Sequence, residues 1–218
     1  CKSNIIQYIN VATTGNAADF GDLVTASGYK RGSASRTRGI YAAGWEPAAS
    51  AVDIEYITIS STGNATAFGE GTGGNQTGNA PSSDTRSICA FGGAVPGGSS
   101  LNTIEYLTFT HLGNSIDFGD MTGIIGAAIG FGSPTRGIFA GGYTSPTTIN
   151  TIQYITIATL GNAAEFGDLT VIRNNGGGAS SATRGLTIAG GTTPNANTQI
   201  IDYVTIATLG NAQDFGEL

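Results

Sequence analysis

Charge is scarce in this chain of 218 residues: only 11% of side chains are ionised, nine basic against fifteen acidic, for a net charge of -6. The few Lys and Arg residues form no cluster, so nucleic-acid binding is disfavoured and no nucleic-acid partner is expected, because phosphate contacts need gathered positive charge. One histidine, His111, and two cysteines, Cys1 and Cys89, are too few for a transition-metal centre or for a nucleophile–base triad. His111 reads as a solvated turn residue and Cys89, in Ser-Ile-Cys-Ala-Phe, as a small core residue. No cofactor and no metal ion are expected. The longest apolar stretch, Met121 to Phe131, is broken by glycine and falls well short of the roughly 20 residues that span a bilayer as a helix. No 3.6-residue apolar stripe survives among the 35 glycines, each of which costs about 1 kcal/mol inside a helix relative to alanine.

What the chain has instead is repetition. Tyr8, Tyr56, Tyr106, Tyr154 and Tyr203 occupy one slot of a recurring line, and Phe20, Phe68, Phe118, Phe166 and Phe215 another. Both columns advance by 48, 50, 48 and 49 residues, so spacing inside the unit is fixed while the length between units drifts. A period near fifty, filled with short apolar alternations, marks a supersecondary block that buries its faces only against its neighbours. The repeat runs without a linker, which predicts one continuous domain over 1–218, divided as a half repeat 1–23 and repeats 24–71, 72–121, 122–169 and 170–218. The start at Cys1 and the stop at Leu218, inside a repeat motif, lead us to expect a longer parent polypeptide; a lipidated mature terminus at Cys1 is a further reading.

Within the unit 122–169, a Gly-rich apolar segment Gly123–Gly130 leads through the turn Ser133-Pro134-Thr135 to a strand Arg136–Gly142. A loop from Tyr143 to Ile149 is expected next, then a strand Asn150–Ile157 with Ile152, Tyr154 and Thr156 on one face and Gln153, Ile155 and Ile157 on the other. A turn at Leu160-Gly161-Asn162 precedes a fourth strand, Ala163–Leu169. Four antiparallel strands in this length match one blade of a β-propeller, so the expected fold is all-β, a propeller of four full blades plus one half blade. A parallel β-helix is the competing architecture. About 18 strands result where a closed five-bladed ring wants 20, so the ring tolerates a half blade, borrows strands from parent sequence, or is completed by a neighbouring subunit.

The glycine pair after the second strand, the single aromatic in the third and the aromatic-Gly-acidic-Leu ending resemble the kelch-type propeller repeat, with Phe standing where a kelch blade usually has Trp. The strings Thr-Arg-Gly-Ile-Phe-Ala-Gly-Gly and Asn-Thr-Ile-Gln-Tyr-Ile-Thr-Ile-Ala-Thr-Leu-Gly-Asn-Ala-Ala-Glu-Phe-Gly-Asp-Leu-Thr resemble repeats of large virion proteins of tailed phages, notably marine and cyanobacterial ones, over essentially the whole chain. The resemblance implies a propeller and a place in a particle; propellers host many unrelated roles.

Arginine recurs at Arg38, Arg86, Arg136 and Arg184, and an acid ends the fourth strand at Asp22, Glu70, Asp120, Asp168 and Glu217. The planar guanidinium fork suits an Arg to bracing a carboxylate and loop carbonyls together, and such pairs are expected to staple each blade to the next. The functional alternative is a ring of arginines gathering an anionic ligand. A second acid column, Asp19, Asp117, Glu165 and Asp214, is broken at Ala67 and carries no tandem calcium-loop pattern. Glycoside hydrolysis needs only two carboxylates and survives as a remote alternative. Yet every candidate acid sits in a repeated column that a structural role explains, so no enzymatic activity is expected.

The loops after the second strand differ between units: Trp45-Glu46-Pro47, Ala94-Val95-Pro96, Tyr143-Thr144-Ser145-Pro146 and Thr192-Thr193-Pro194-Asn195-Ala196-Asn197. Aromatics beside Asn and Thr are what a sugar-binding or protein-docking rim uses, which nominates Trp45, Glu46, Val95, Tyr143, Thr144, Asn195 and Asn197 as candidate partner-binding residues, neutral drift being the other reading. The expected function is a structural and attachment module of a phage fibre, tail or capsid decoration. Its partners would be neighbouring virion subunits, a second copy of itself, or a host-surface glycan. A secreted or surface-anchored bacterial adhesin or lectin is the alternative. The expected location is the virion or the cell exterior.

Overall fold

The computed structural model describes residues 3–28, 30–42, 44, 52–72, 81–90, 101–192 and 196–218. Every regular element among them is a strand. A two-stranded sheet pairs β1 (Ser3–Tyr8) with β2 (Ala18–Ser27). Next comes a four-stranded sheet of β3 (Arg31–Ala34), β4 (Arg38–Ala42), β5 (Asp53–Thr58) and β6 (Thr66–Glu70). A three-stranded sheet of β7 (Arg86–Ala90), β8 (Thr103–Thr108) and β9 (Ile116–Asp120) follows, with an isolated Ser82–Ser87 bridge where its neighbours have a first strand. Two more four-stranded sheets complete the array. These are β10 (Ile129–Gly132), β11 (Arg136–Thr144), β12 (Thr147–Thr156), β13 (Ala164–Asp168) and then β14 (Gly177–Ser180), β15 (Arg184–Thr192), β16 (Ala196–Thr205), β17 (Gln213–Glu217). Each sheet is an antiparallel meander in chain order, and the sheets are arranged as a β-propeller.

Two expectations within the unit need correction. The Gly-rich segment 123–130 is mostly crossover: the first strand starts at Ile129, and the stretch before it buries Ile125, Ala127 and Ala128 under the sheet. The expected loop 143–149 is instead a continuation of the hairpin, with Tyr143 paired to Thr148 and Thr144 to Thr147, so only Ser145 and Pro146 make the turn. The register shifts there, Asn150 and Thr151 of β12 standing opposite the single Gly141 of β11, which holds φ 61°, and the two strands run on past it.

The Phe-Gly pair of the fourth strand is a second bulge, present in all five sheets. In β12–β13, Ile152 faces Gly167 and Gln153 faces Glu165, leaving Phe166 as the extra residue. The bulge turns Phe166 onto the sheet face, where it meets Tyr154 edge-on with ring centroids 6.0 Å apart. The same T-shaped pair recurs as Tyr8–Phe20, Tyr56–Phe68, Tyr106–Phe118 and Tyr203–Phe215.

Each blade thus has an outgoing face and an incoming one, and the core is a series of slabs between them. Ile40, Ile54 and Phe68 of one blade pack on Cys89, Leu107 and Phe109 of the next. Ile88, Ile104 and Phe118 pack on Phe139, Ile155, Ile157 and Ala163, and Ile138, Ile152 and Phe166 on Val204, Ile206 and Ala212. The two-stranded sheet joins in the same way, Ile6 and Phe20 meeting Ile57 and Ala65.

Candidate functional site: the blade junctions and the rim

The arginine column does staple blade to blade, but not through the acids. Arg86 donates from its terminal nitrogen to the Ile157 carbonyl of the next blade at 2.8 Å, Arg136 to Ile206 at 2.8 Å, and Arg38 to Phe109. Each guanidinium also lies over the tyrosine of its own blade: Arg38 on Tyr56 at 4.7 Å, Arg86 on Tyr106 at 4.6 Å, Arg136 on Tyr154 at 4.8 Å and Arg184 on Tyr203 at 4.5 Å. The expected Arg–carboxylate pairing is therefore replaced by stacking and a carbonyl, two interactions that a planar cation makes at once. The acid column works through its backbone. Gly63 N–H donates to Phe20 O at 2.7 Å, Ala65 N–H to Asp22 O at 2.8 Å, and Asp22 N–H to the Asn64 side-chain oxygen at 3.0 Å. The same three bonds link Gly113, Asn114 and Ser115 to Phe68 and Glu70; Gly161, Asn162 and Ala163 to Phe118 and Asp120; and Gly210, Asn211 and Ala212 to Phe166 and Asp168.

Glycine is required at the centre of this latch by close approach. A Cβ at Gly21, Gly69, Gly119 or Gly167 would lie 2.0–2.5 Å from the backbone of the facing Gly in the next blade. Gly21, Gly119 and Gly167 additionally hold φ between 146° and 157°, where side chains are strained.

A third column carries the buried polar chemistry and was not among the sequence candidates: Glu55, Glu105, Gln153 and Asp202, each directly before its tyrosine and each at most 1% exposed. Glu55 accepts from the N–H groups of Val24 and Thr25 and pairs with Lys30 at 2.9 Å. Glu105 accepts from Thr72 and Ser115, Gln153 from Thr122 N–H at 2.9 Å, and Asp202 from Thr170 N–H and from Arg173. All four therefore hold the segment that crosses from the preceding blade. The signal was present as an invariable Gln, Glu or Asp at this slot, starting with Gln7, on the same face as the apolar Ile155 and Ile157. Arg173, completely buried, also donates to Ile200 O at 2.8 Å, and burial lowers its pKa while Asp202 opposes that fall.

On the rim, Trp45, Glu46, Val95 and Asn195 lie outside the described residues. Tyr143 and Thr144 sit at the far end of the β11–β12 hairpin, Tyr143 being exposed but tied through its backbone to Gly126 in both directions, at 2.6 and 2.9 Å. Asn197, exposed, is the counterpart position on β16, paired with Gly191. Of the described candidates, Tyr143 and Thr144 lie on one hairpin and Asn197 on the next. At the opposite turns, Leu112, Leu160 and Leu209 form an exposed apolar row, each 57–58% accessible. His111 is exposed and bonded to the neighbouring Thr110 hydroxyl at 2.9 Å. Among the described residues no three His, Cys, Asp or Glu side chains gather as a metal site, and no helix is long and apolar enough to cross a membrane.

A recess of about 410 Å³ opens on the last blade, lined by Phe166, Arg184, Tyr203, Asn211 and Gln213 among others. No known protein family's profile matches this chain, and no curated protein matches it.

Proposed function

We propose that this chain is a non-enzymatic structural and attachment module, whose task is to hold a row of hairpin tips in fixed relation and offer them to a binding partner. The observation that carries this reading is the use to which the recurrent polar residues are put. Arginines, asparagines and buried acids alike hold one blade against the next or fasten the crossovers between blades. Chemistry-bearing side chains are thereby spent on rigidity, and a preformed surface loses little ordering entropy when it binds. Facing outward are Tyr143 with Thr144 and the Leu112, Leu160 and Leu209 row, amphipathic groups that suit a glycan or a protein neighbour, together with the exposed acids Asp19, Asp117, Glu165 and Asp214.

The kelch-like motifs and the likeness of the repeated strings to phage virion repeats favour a fibre, tail or decoration protein as the setting. There, many copies on one particle multiply weak contacts into firm attachment. Glycan arrays and whole-envelope pull-downs with the isolated chain test the attachment role. Retention on envelope sugars that weakens on Tyr143→Ala supports it. Silence across both formats, with the chain folded, refutes attachment by this surface.

A further inference from the structure

Four latches join five sheets, yet the chain carries the parts of a fifth, separated at its two end faces. The outgoing half is on the last blade. Phe215 is 55% exposed where Phe20, Phe68, Phe118 and Phe166 are 3–8%, and Leu186 and Ile201 are partly uncovered where their counterparts Ile138 and Ile152 are completely buried. Gly216 has no atom within 4 Å of a Cβ position, unlike its four counterparts, and holds φ 144°, as Gly21, Gly119 and Gly167 hold 146–157°. Arg184 stacks on Tyr203 like every other arginine of the column, but it is exposed where Arg38, Arg86 and Arg136 are half-buried. In the other junctions a strand of the next blade supplies the carbonyl that receives the arginine.

The incoming half is on the two-stranded sheet. Gly15, Asn16 and Ala17 stand in register with Gly63-Asn64-Ala65, Gly161-Asn162-Ala163 and Gly210-Asn211-Ala212, and all three are exposed. Val11 holds the slot of Phe109, Ile157 and Ile206, the residues that offer a carbonyl to an arginine; it is 94% exposed where those three are each 2%. Ile9, in the slot of Ile57, Leu107, Ile155 and Val204, is 64% exposed. The latch residues and the carbonyl that receives the arginine come from the third and fourth strands of a blade and the turn between them, the part that β1 and β2 supply, whereas the second-strand side chains Cys89 and Phe139 of the other incoming faces have no counterpart there.

We propose that, in the 218-residue unit, these two faces mate between molecules: the β14–β17 blade of one copy takes the two-stranded sheet of a second copy, head to tail, through the same latch that joins blades within the chain. Asn16 would accept from Glu217 N–H, Gly15 and Ala17 N–H would donate to Phe215 and Glu217 carbonyls, Arg184 would donate to Val11 O, and Phe215 would be covered by Ile9, Val11 and Ala17. The contact is heterologous, so it propagates into rings or filaments instead of stopping at a symmetric dimer. It follows from the junction geometry and stands whether or not the rim binds a glycan.

Sedimentation of the purified 218-residue chain over a wide concentration range tests it, with three variants. Asn16→Ala removes one latch acceptor from an exposed turn, and Arg184→Ala removes an exposed stapling donor; each is expected to weaken association about tenfold. Gly216→Ala places a methyl where the internal junctions leave no room and is expected to abolish it. The decisive arm mixes Asn16→Ala with Gly216→Ala: one intact junction remains per pair, so the mixture forms dimers that cannot grow. Concentration-dependent oligomers, lost in the single variants and restored as dimers on mixing, support the proposal. A wild-type chain that stays monomeric throughout, or oligomers indifferent to all three variants, overturns it. So does a monomer whose melting temperature falls on Asn16→Ala or Arg184→Ala, which would mean that the faces close within one chain. If Gly216→Ala fails to fold, Arg184→Ala takes its place in the mixture, where recovery of dimers has the same meaning.

Discussion

The Arg173 guanidinium meets the Asp202 carboxylate at 2.7 Å with neither side chain exposed to solvent. Asp202 also receives the Thr170 N–H and hydroxyl, so the pair ties the crossover to the third strand of the last blade. Removing one partner leaves the other charge buried and unpaired, which costs far more than the pair itself contributes. Asp202→Ala is expected to lose about 3–5 kcal/mol in urea unfolding. Asp202→Asn, which keeps an acceptor for Thr170, is expected to lose less. Equal losses in the two variants would show that the charge is irrelevant.

The latch separates a hydrogen-bond effect from a steric one. Asn162→Ala deletes a single 3.0 Å bond to Asp120 N–H at a turn tip and should cost about 1 kcal/mol, or roughly 2–4 °C in melting temperature for a chain of this size. Gly119→Ala, across the same junction, puts a methyl 2.5 Å from the Gly161 carbonyl and forces an alanine to φ 146°. It should cost several-fold more. Calorimetry of the two variants side by side checks the order, and a Gly119→Ala protein as stable as Asn162→Ala would mean that the blades separate easily.

The Tyr and Phe columns made the architecture legible, because a fixed internal spacing with a drifting period belongs to a stacked repeat whatever its residues. The strand Asn150–Ile157 and the turn at Leu160-Gly161-Asn162 follow from period-two alternation and from turn chemistry, both local properties. Contacts between blades were not legible. Arg136 and Asp120 recur in step, and stoichiometry paired them; the structure gives the arginine to a tyrosine ring and a carbonyl 70 residues away. Backbone acceptors leave no trace in a sequence. The Phe-Gly bulge was similarly hidden, since a bulge and a regular strand share composition, and with it the reason for a phenylalanine in that slot. The buried Glu105 and Asp202 look like solvated strand residues until the crossover N–H groups that they accept from are placed.

Arginine 136 and arginine 184 are the same residue in two settings, which makes a controlled comparison. Arg136 stacks on Tyr154 and donates across a closed junction, whereas Arg184 stacks on Tyr203 at the open face. A lysine keeps the charge but, as a compact ammonium, cannot cover a ring and reach the carbonyl together. Arg136→Lys is expected to cost about 1–2 kcal/mol. Arg184→Lys in the monomer should leave the melting temperature unchanged. A loss of the same size at both positions would show that the stacking alone carries the stability.

Cys89 offers a pH signature confined to one junction. Its side chain is 5% exposed between two blades, and burial pushes its thiol from about 9 up to about 12, with Glu105 adding to the rise and a hydrogen bond to Ser87 opposing it. The folded state therefore keeps the proton that the unfolded chain gives up. Between pH 9 and 12 the unfolded state binds fewer protons, and stability falls with rising pH by up to about 1.4 kcal/mol per unit. Below pH 9 both states are protonated and the thiol contributes no slope. Cys89→Ala lowers stability by a constant amount for the lost packing and removes this alkaline component. The wild-type and variant stability curves should therefore run parallel below pH 9 and converge above it, while Tyr41 and the other alkaline groups, common to both, cancel in the difference. Curves that stay parallel to pH 11 would place the thiol in water, and with it the slab that joins the second and third sheets.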